Sequence, residues 1–207
     1  MKLKFSPTIP NILTTIRLIA VPFMAWFIYY GEEPGNETFR VVAFIFFVSI
    51  WFTDVVDGFI ARRFDQISDF GKIYDPFVDK VFQFTTALMM LIVEKIPSWV
   101  VIFMLVKEVF MILGGAYLLQ SKRVVVRSKW YGKATTVLFV AALASLFFVP
   151  KDKLEITSLV FILPVCMAVF SLVAYGKDSF LGKKKTEAAV DEKKDKESSA
   201  DTKDVSK

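Results

Sequence analysis

Long apolar runs alternate with short polar links along this chain, and the runs have the length of helices that cross a bilayer. Six are present, at about Leu13 to Tyr30, Phe39 to Ile60, Asp75 to Val93, Pro97 to Leu119, Tyr131 to Val149 and Ile156 to Tyr175. Each approaches the ~20 residues that a helix needs to cross ~30 Å of hydrocarbon. Any one run would also suit a buried helix of a soluble domain. Six in succession with such short links predict an all-α integral membrane protein, a bundle of six transmembrane helices. Ahead of the first run, MKLKFSPTIPN combines Phe5 and Ile9 with basic residues, which predicts a short interfacial segment. From Lys177 onward the apolar residues thin out and Lys mixes with Asp and Glu. The expected organisation is therefore a membrane domain over residues 1–176 and a disordered tail over residues 177–207, which either solubilises or touches anionic lipid through Lys183 to Lys185.

Composition supports this class: 55% of the 207 residues are hydrophobic, 22 are Phe, and the mean hydropathy of +0.50 is far above that of an ordinary soluble domain. The net charge of +5 is spread over several links, which suits anionic lipid headgroups and argues against nucleic acid as a partner. Lys and Arg placement orients the chain. Lys2 and Lys4, then Arg62, Arg63 and Lys72, then Lys122, Arg123, Arg127, Lys129 and Lys133 lie on one side. GEEPGNET, Glu94-Lys95 and KDKLE lie on the other. Both termini are expected to face the cytoplasm, with the protein in a bacterial cytoplasmic membrane. No convincing cleavable signal peptide is seen, because Pro7 and Pro10 interrupt the basic start and no small-residue cleavage site follows the first run. Cys166 stands alone in an apolar run, so no disulfide framework is available.

The candidate chemistry is concentrated in DVVDGFIARRFDQISDFGKIYDPFVDK, residues 54–80. Asp54 and Asp57 close the second run, and Asp75 and Asp79 open the third. Carboxylates at the ends of hydrophobic spans are costly to desolvate and require partners. Asp54, Asp57, Ala61 and Arg62 share one helical stripe, and Gly71, Asp75 and Asp79, four apart, share another if that stretch is helical. Two such faces meeting would surround one volume with oxygen donors, which suits Mg²⁺ or Mn²⁺. With no His, a conventional zinc site is excluded.

This string reads D-x-x-D-G-x-x-A-R, eight residues, then G-x-x-x-D-x-x-x-D, and it resembles the signature of the CDP-alcohol phosphatidyltransferases. The resemblance implies an integral membrane enzyme that joins a CDP-activated lipid to an alcohol and releases CMP, with one or two Mg²⁺ or Mn²⁺ ions. It places metal on Asp54, Asp57, Asp75 and Asp79, and the CDP moiety against Gly58, Ala61, Arg62 and Gly71. Asp79 is the expected general base. Pro10-Asn11-Ile12-Leu13-Thr14-Thr15-Ile16-Arg17 and Asp75-Pro76-Phe77-Val78-Asp79-Lys80 are similar to elements of the branch whose acceptor is glycerol 3-phosphate or, next in order, phosphatidylglycerol. Both acceptors are anionic. A Lys within a span is expensive and so usually functional, and Lys107, with Lys133 and Arg17, is the expected acceptor-phosphate set. At Lys107-Glu108 and Gly114-Gly115 the chain departs from the R-E and G-x-R elements of many such synthases, a difference that bears on the acceptor and not on the reaction.

Plainer roles compete with each of these. Asp75-Pro76 resembles a helix start, with Asp as cap and Pro in the first turn. Gly58 suits close helix packing, Lys133, Arg62 and Arg63 suit cytoplasmic anchoring, and Asp65 and Asp69 read as solvated. Glu108 projects about 100° from Lys107 on a helix, so the two are not an obvious pair. A cation or proton transporter would also carry intramembrane acids, but here all four lie toward one face and no repeat is evident. Membrane enzymes of this size are commonly homodimers, although no residue pattern marks a dimer face.

Overall fold

The computed structural model describes residues 8–63, 70–122, 130–174 and 176. They are helical apart from their links: α1 Ile9–Tyr30, α2 Glu37–Arg63, α3 Gly71–Ile92, α4 Ser98–Lys122 and α5 Trp130–Ser145, followed by α6 at Leu154–Ala174. Each apolar run is thus a helix. Three helices, over Pro10–Tyr30, Glu37–Ile60 and Leu154–Ala174, are both long and apolar enough to cross a membrane among the described residues. The interfacial segment before Thr8 and the charged tail lie outside the described residues, as do Asp65 and Asp69.

The chain forms two compact units. One comprises Met1–Val106 and Thr136–Pro164, the other Lys107–Thr135 and Val165–Lys207. In the first unit α1 packs against both α2 and α3. Its inward face is Asn11, Thr14, Arg17, Val21, Met24 and Ile28, all buried. That face is polar in its first half and apolar in its second. Phe47 and Ile50 of α2 and Phe82 and Met90 of α3 are buried like that apolar half, and the Phe47 and Phe82 rings lie with centroids 5.0 Å apart. The opposite stripes stay exposed: Ile12, Ile16, Ile19, Phe23 and Trp26 on α1, and Val41, Ile45, Val48, Phe52, Val55 and Phe59 on α2. Apolar stripes of this length, at helical spacing and facing outward, suit lipid as the surrounding solvent. In the second unit Thr135 Oγ1 donates to the Tyr131 carbonyl at 2.8 Å, and the Tyr131 and Phe170 rings meet edge to face at 6.1 Å.

The turns explain where the helices stop. Gly31 follows α1, and its N–H bonds the Phe27 carbonyl at 2.9 Å. A Cβ there would lie 2.7 Å from the backbone nitrogen of Arg40, so the start of α2 approaches too closely for any other residue. Gly31→Ala is expected to cost about 1–3 kcal/mol through forced backbone movement, read as a lower unfolding midpoint in detergent; an unchanged midpoint would show that the link yields freely. α3 ends in a two-bond cap in which Glu94 N–H donates to Leu91 at 3.0 Å and Lys95 N–H to Met90 at 2.8 Å. This places Glu94 at φ 59°, a left-handed position that Gly would fill without strain. The same turn buries Lys95, whose Nζ lies 2.6 Å from Glu32 Oε1 and donates to the Leu146 carbonyl at 3.1 Å. One ammonium thus fastens the turns after α1, α3 and α5 together.

Candidate active site

The carboxylates are positioned by two helices and joined by a third. α2 runs through Arg63, so Asp54, Asp57 and Gly58 lie on one continuous helix. α3 begins at Gly71 and continues through Pro76, with Phe70 in the capping position. The capping role for Asp75 is thereby replaced: the residue lies inside the helix, and Gly71, Asp75 and Asp79 stand four apart along it. Proline at this depth removes one backbone bond, a cost the surrounding packing must offset.

Helix α1 supplies the connections. Arg17 Nη1 pairs with Asp54 Oδ1 and Arg17 Nη2 with Asp57 Oδ2. One turn earlier, Thr14 Oγ1 donates to Asp75 Oδ1 at 2.7 Å; it also lies 3.5 Å from Asp57 Oδ2. Thr14 and Arg17 are fully buried. Three acids from α2 and α3 therefore meet on two neighbouring side chains of α1. Asp79 is held from its own helix, where Gln83 Nε2 donates to its two oxygens at 3.1 and 3.0 Å, and it lies within electrostatic reach of Asp54 and Arg17. Beside the cluster, Tyr74 donates its hydroxyl proton to Thr15 Oγ1 at 3.4 Å, and Thr15 donates to the Asn11 carbonyl at 2.8 Å.

The structure thus places Arg17, expected at the acceptor phosphate, on two of the expected metal ligands. It also brings in Thr14 and Gln83, for which the sequence suggested no role. Their signals were in view: Thr14 shares the stripe of Arg17 three residues earlier, and Gln83 follows Asp79 by four. Gly58 is not explained by packing, since a Cβ there would meet nothing within 4 Å among the described residues. Gly71 is buried, while the side chains of Ala61 and Arg62 lie outside the described residues. Lys107 and Lys133 belong to the second unit. Lys107 is buried and, contrary to the angular argument, its Nζ reaches Glu108 Oε1 at 2.6 Å. Long side chains span the angle that separates their Cβ atoms.

Like charges near 4 Å repel by about 4 kcal/mol at an effective dielectric of 20, so one guanidinium does not offset four ionised acids. A doubly charged cation offsets them better than the single charge of the guanidinium. The all-oxygen donors fit a hard divalent ion in kind. As they stand, however, no three of the described acids form a ready ligand set, and the cation they enclose is Arg17.

A family model described as CDP-alcohol phosphatidyltransferase matches residues 7–173, most of the chain. The chain belongs to this family. Among CDP-alcohol phosphatidyltransferase relatives, a protein of Mycobacterium tuberculosis (strain H37Rv) named "Probable phosphatidylglycerophosphate synthase" is 34% identical over 143 residues, 68% of this chain and 65% of its own length. The chain thus spans just under two thirds of that relative. Proteins of Salmonella choleraesuis (strain SC-B67) and Escherichia coli (strain K12), both named "CDP-diacylglycerol--glycerol-3-phosphate 3-phosphatidyltransferase", are 31% identical over 173 residues, 81% of this chain and 92% of theirs. The matched region of the CDP-alcohol phosphatidyltransferase model contains α1 to α5 and all four acids.

Proposed function

We propose that this protein transfers the phosphatidyl group of CDP-diacylglycerol to glycerol 3-phosphate, forming phosphatidylglycerophosphate and releasing CMP. The observation that carries the reading is the convergence of Asp54, Asp57 and Asp75 on Thr14 and Arg17, within a chain whose family transfers phosphatidyl groups from CDP-linked lipids. The names of the relatives support the acceptor.

The acceptor hydroxyl oxygen attacks the lipid-bearing phosphorus, and the P–O bond to CMP breaks. Asp54, Asp57, Asp75 and Asp79 are the residues to hold Mg²⁺ or Mn²⁺, as one ion or two. When bound, such an ion neutralises the pyrophosphate and the departing CMP. Asp79 takes the proton of the attacking hydroxyl, and Gln83 fixes the direction in which its oxygens face. Gly58 leaves open space where a nucleotide can approach the backbone, with Gly71 and Ala61 alongside. Arg62 forks onto phosphate oxygens. Arg17, Lys107 and Lys133 serve the acceptor phosphate. Six membrane-spanning helices over residues 1–176, both termini and the site on the cytoplasmic face of a bacterial membrane, a charged tail over residues 177–207 and a homodimeric assembly complete the proposal.

Offering purified protein CDP-diacylglycerol, Mn²⁺ and a panel of radiolabelled acceptors tests it. Phosphatidylglycerophosphate is the expected product. Cardiolipin formed from phosphatidylglycerol would reassign the acceptor, and cation or proton flux without CMP release would replace the enzyme with a transporter. Lys107→Met is expected to raise the KM for glycerol 3-phosphate at least about 10-fold, the worth of one hydrogen bond to a charged group, and to leave the CDP-diacylglycerol KM nearly unchanged. Equal rises in both would make the Lys107–Glu108 pair structural.

A further inference from the structure

We infer that Arg17 is the protein's own occupant of the cation position between Asp54 and Asp57, so that a divalent ion entering there displaces the guanidinium and delivers it to the acceptor's phosphate. This rests on the transferase reading and adds to it a coupling between two of its ligands.

The guanidinium bonds Asp54 through one terminal nitrogen and Asp57 through the other, and Arg17 is only 2% exposed. A buried cation therefore already neutralises the two acids that open the motif. Its Nε is buried and has no hydrogen-bond partner among the described residues. A guanidinium offers five N–H donors in a fixed fork, and a buried donor without an acceptor is a deficiency that a further anion would remove. A phosphate, with several oxygens in fork geometry, is such an anion. Thr14 holds Asp75 independently of Arg17, so departure of the guanidinium leaves that acid anchored to α1.

The alternative is that Arg17 stays and steadies the carboxylates from behind while the ion takes their other oxygens. Support of that kind is worth about 10–100-fold in metal affinity. A divalent ion about 5 Å from a guanidinium is disfavoured by roughly 10⁴-fold or more at an effective dielectric of 20. Repulsion outweighs that support, but leaving two carboxylates costs the guanidinium a comparable factor at the same dielectric. The exchange is therefore completed when the acceptor's phosphate takes up the displaced cation. By linkage, a phosphate that stabilises the displaced guanidinium tightens the ion, and the ion tightens the phosphate by the same factor.

Mn²⁺ binding to the full chain in lipid nanodiscs, read by the electron paramagnetic resonance of the free ion and corrected for Mn²⁺ held by free acceptor, tests the exchange without turnover. For the wild type, saturating glycerol 3-phosphate is expected to tighten Mn²⁺ at least about 10-fold, within the usual range of coupling. Arg17→Met is expected to bind Mn²⁺ at least about 10-fold more tightly than wild type without acceptor, and to lose the coupling. Equal or weaker binding by Arg17→Met, or coupling that survives in it, overturns the exchange. So does a wild type without coupling, a result that needs no variant to fold. CMP release on adding CDP-diacylglycerol and glycerol 3-phosphate to the same wild-type sample is a separate readout. Its absence removes the transferase reading and this inference with it; its presence alongside uncoupled binding removes the exchange alone.

Discussion

Asp79→Asn is expected to lower kcat by about 10²–10⁴-fold, the contribution of a positioned general base, while CDP-diacylglycerol binding remains measurable. The substitution conserves shape and removes the charge that would take the acceptor's proton. Gln83 keeps one of its two contacts to the side chain, since only one oxygen remains to accept from it. Asp79 is also a candidate metal ligand, and the two roles separate in a Mn²⁺ titration. A lost ligand is compensated at higher Mn²⁺, whereas a lost base is not. Persistence of the defect at saturating Mn²⁺ assigns Asp79 as the base. Activity within a few-fold of wild type would remove it from that role, and full recovery with Mn²⁺ would leave it a ligand only.

Much of this site was legible as spacing. Asp54, Asp57 and Gly58 share a helix, and so do Gly71, Asp75 and Asp79, because the apolar runs on either side continue into them. The six helices were legible for the same reason, though not their ends. Asp75-Pro76 looks like a start signal, yet α3 begins at Gly71, since local preference before a proline is weaker than the packing of a whole helix. α5 stops at Ser145, short of the end of its apolar run. The link between the acid-bearing helices was not legible. It depends on α1 lying against both α2 and α3, a tertiary fact that no spacing within one helix encodes. Arg17 was recognised as a cation that needs an anion; which anion it meets first, a pair of carboxylates or a phosphate, follows only from that packing. Lys95 illustrates the same limit, reading as an ordinary link residue until three turns close around it.

Glu32→Gln is expected to destabilise the protein by about 3–5 kcal/mol, the cost of leaving a buried charge without its partner, and to lower its unfolding midpoint by roughly 10 °C for a chain of this size. Lys95 is 2% exposed, so water does not replace the carboxylate. Burial pushes its ammonium below the ordinary value of 10.5, and the Glu32 carboxylate pulls it back up. The sign of the pH dependence follows. Between the lowered native value and 10.5 the unfolded chain holds the extra proton, so stability rises with pH through that window. Without Glu32 the native value falls further and the window extends downward. The gap between Glu32→Gln and wild type should therefore narrow between pH 7 and pH 10, where a neutral amine can stay buried with only the Leu146 carbonyl to bond. Adding Lys95→Met to Glu32→Gln should restore most of the loss, because an apolar side chain of similar length carries no charge to strand. Thermal unfolding in detergent at the two pH values reads both effects. A gap that is absent, or that stays constant with pH, would mean that the three turns are held by their backbone caps and not by this ion pair.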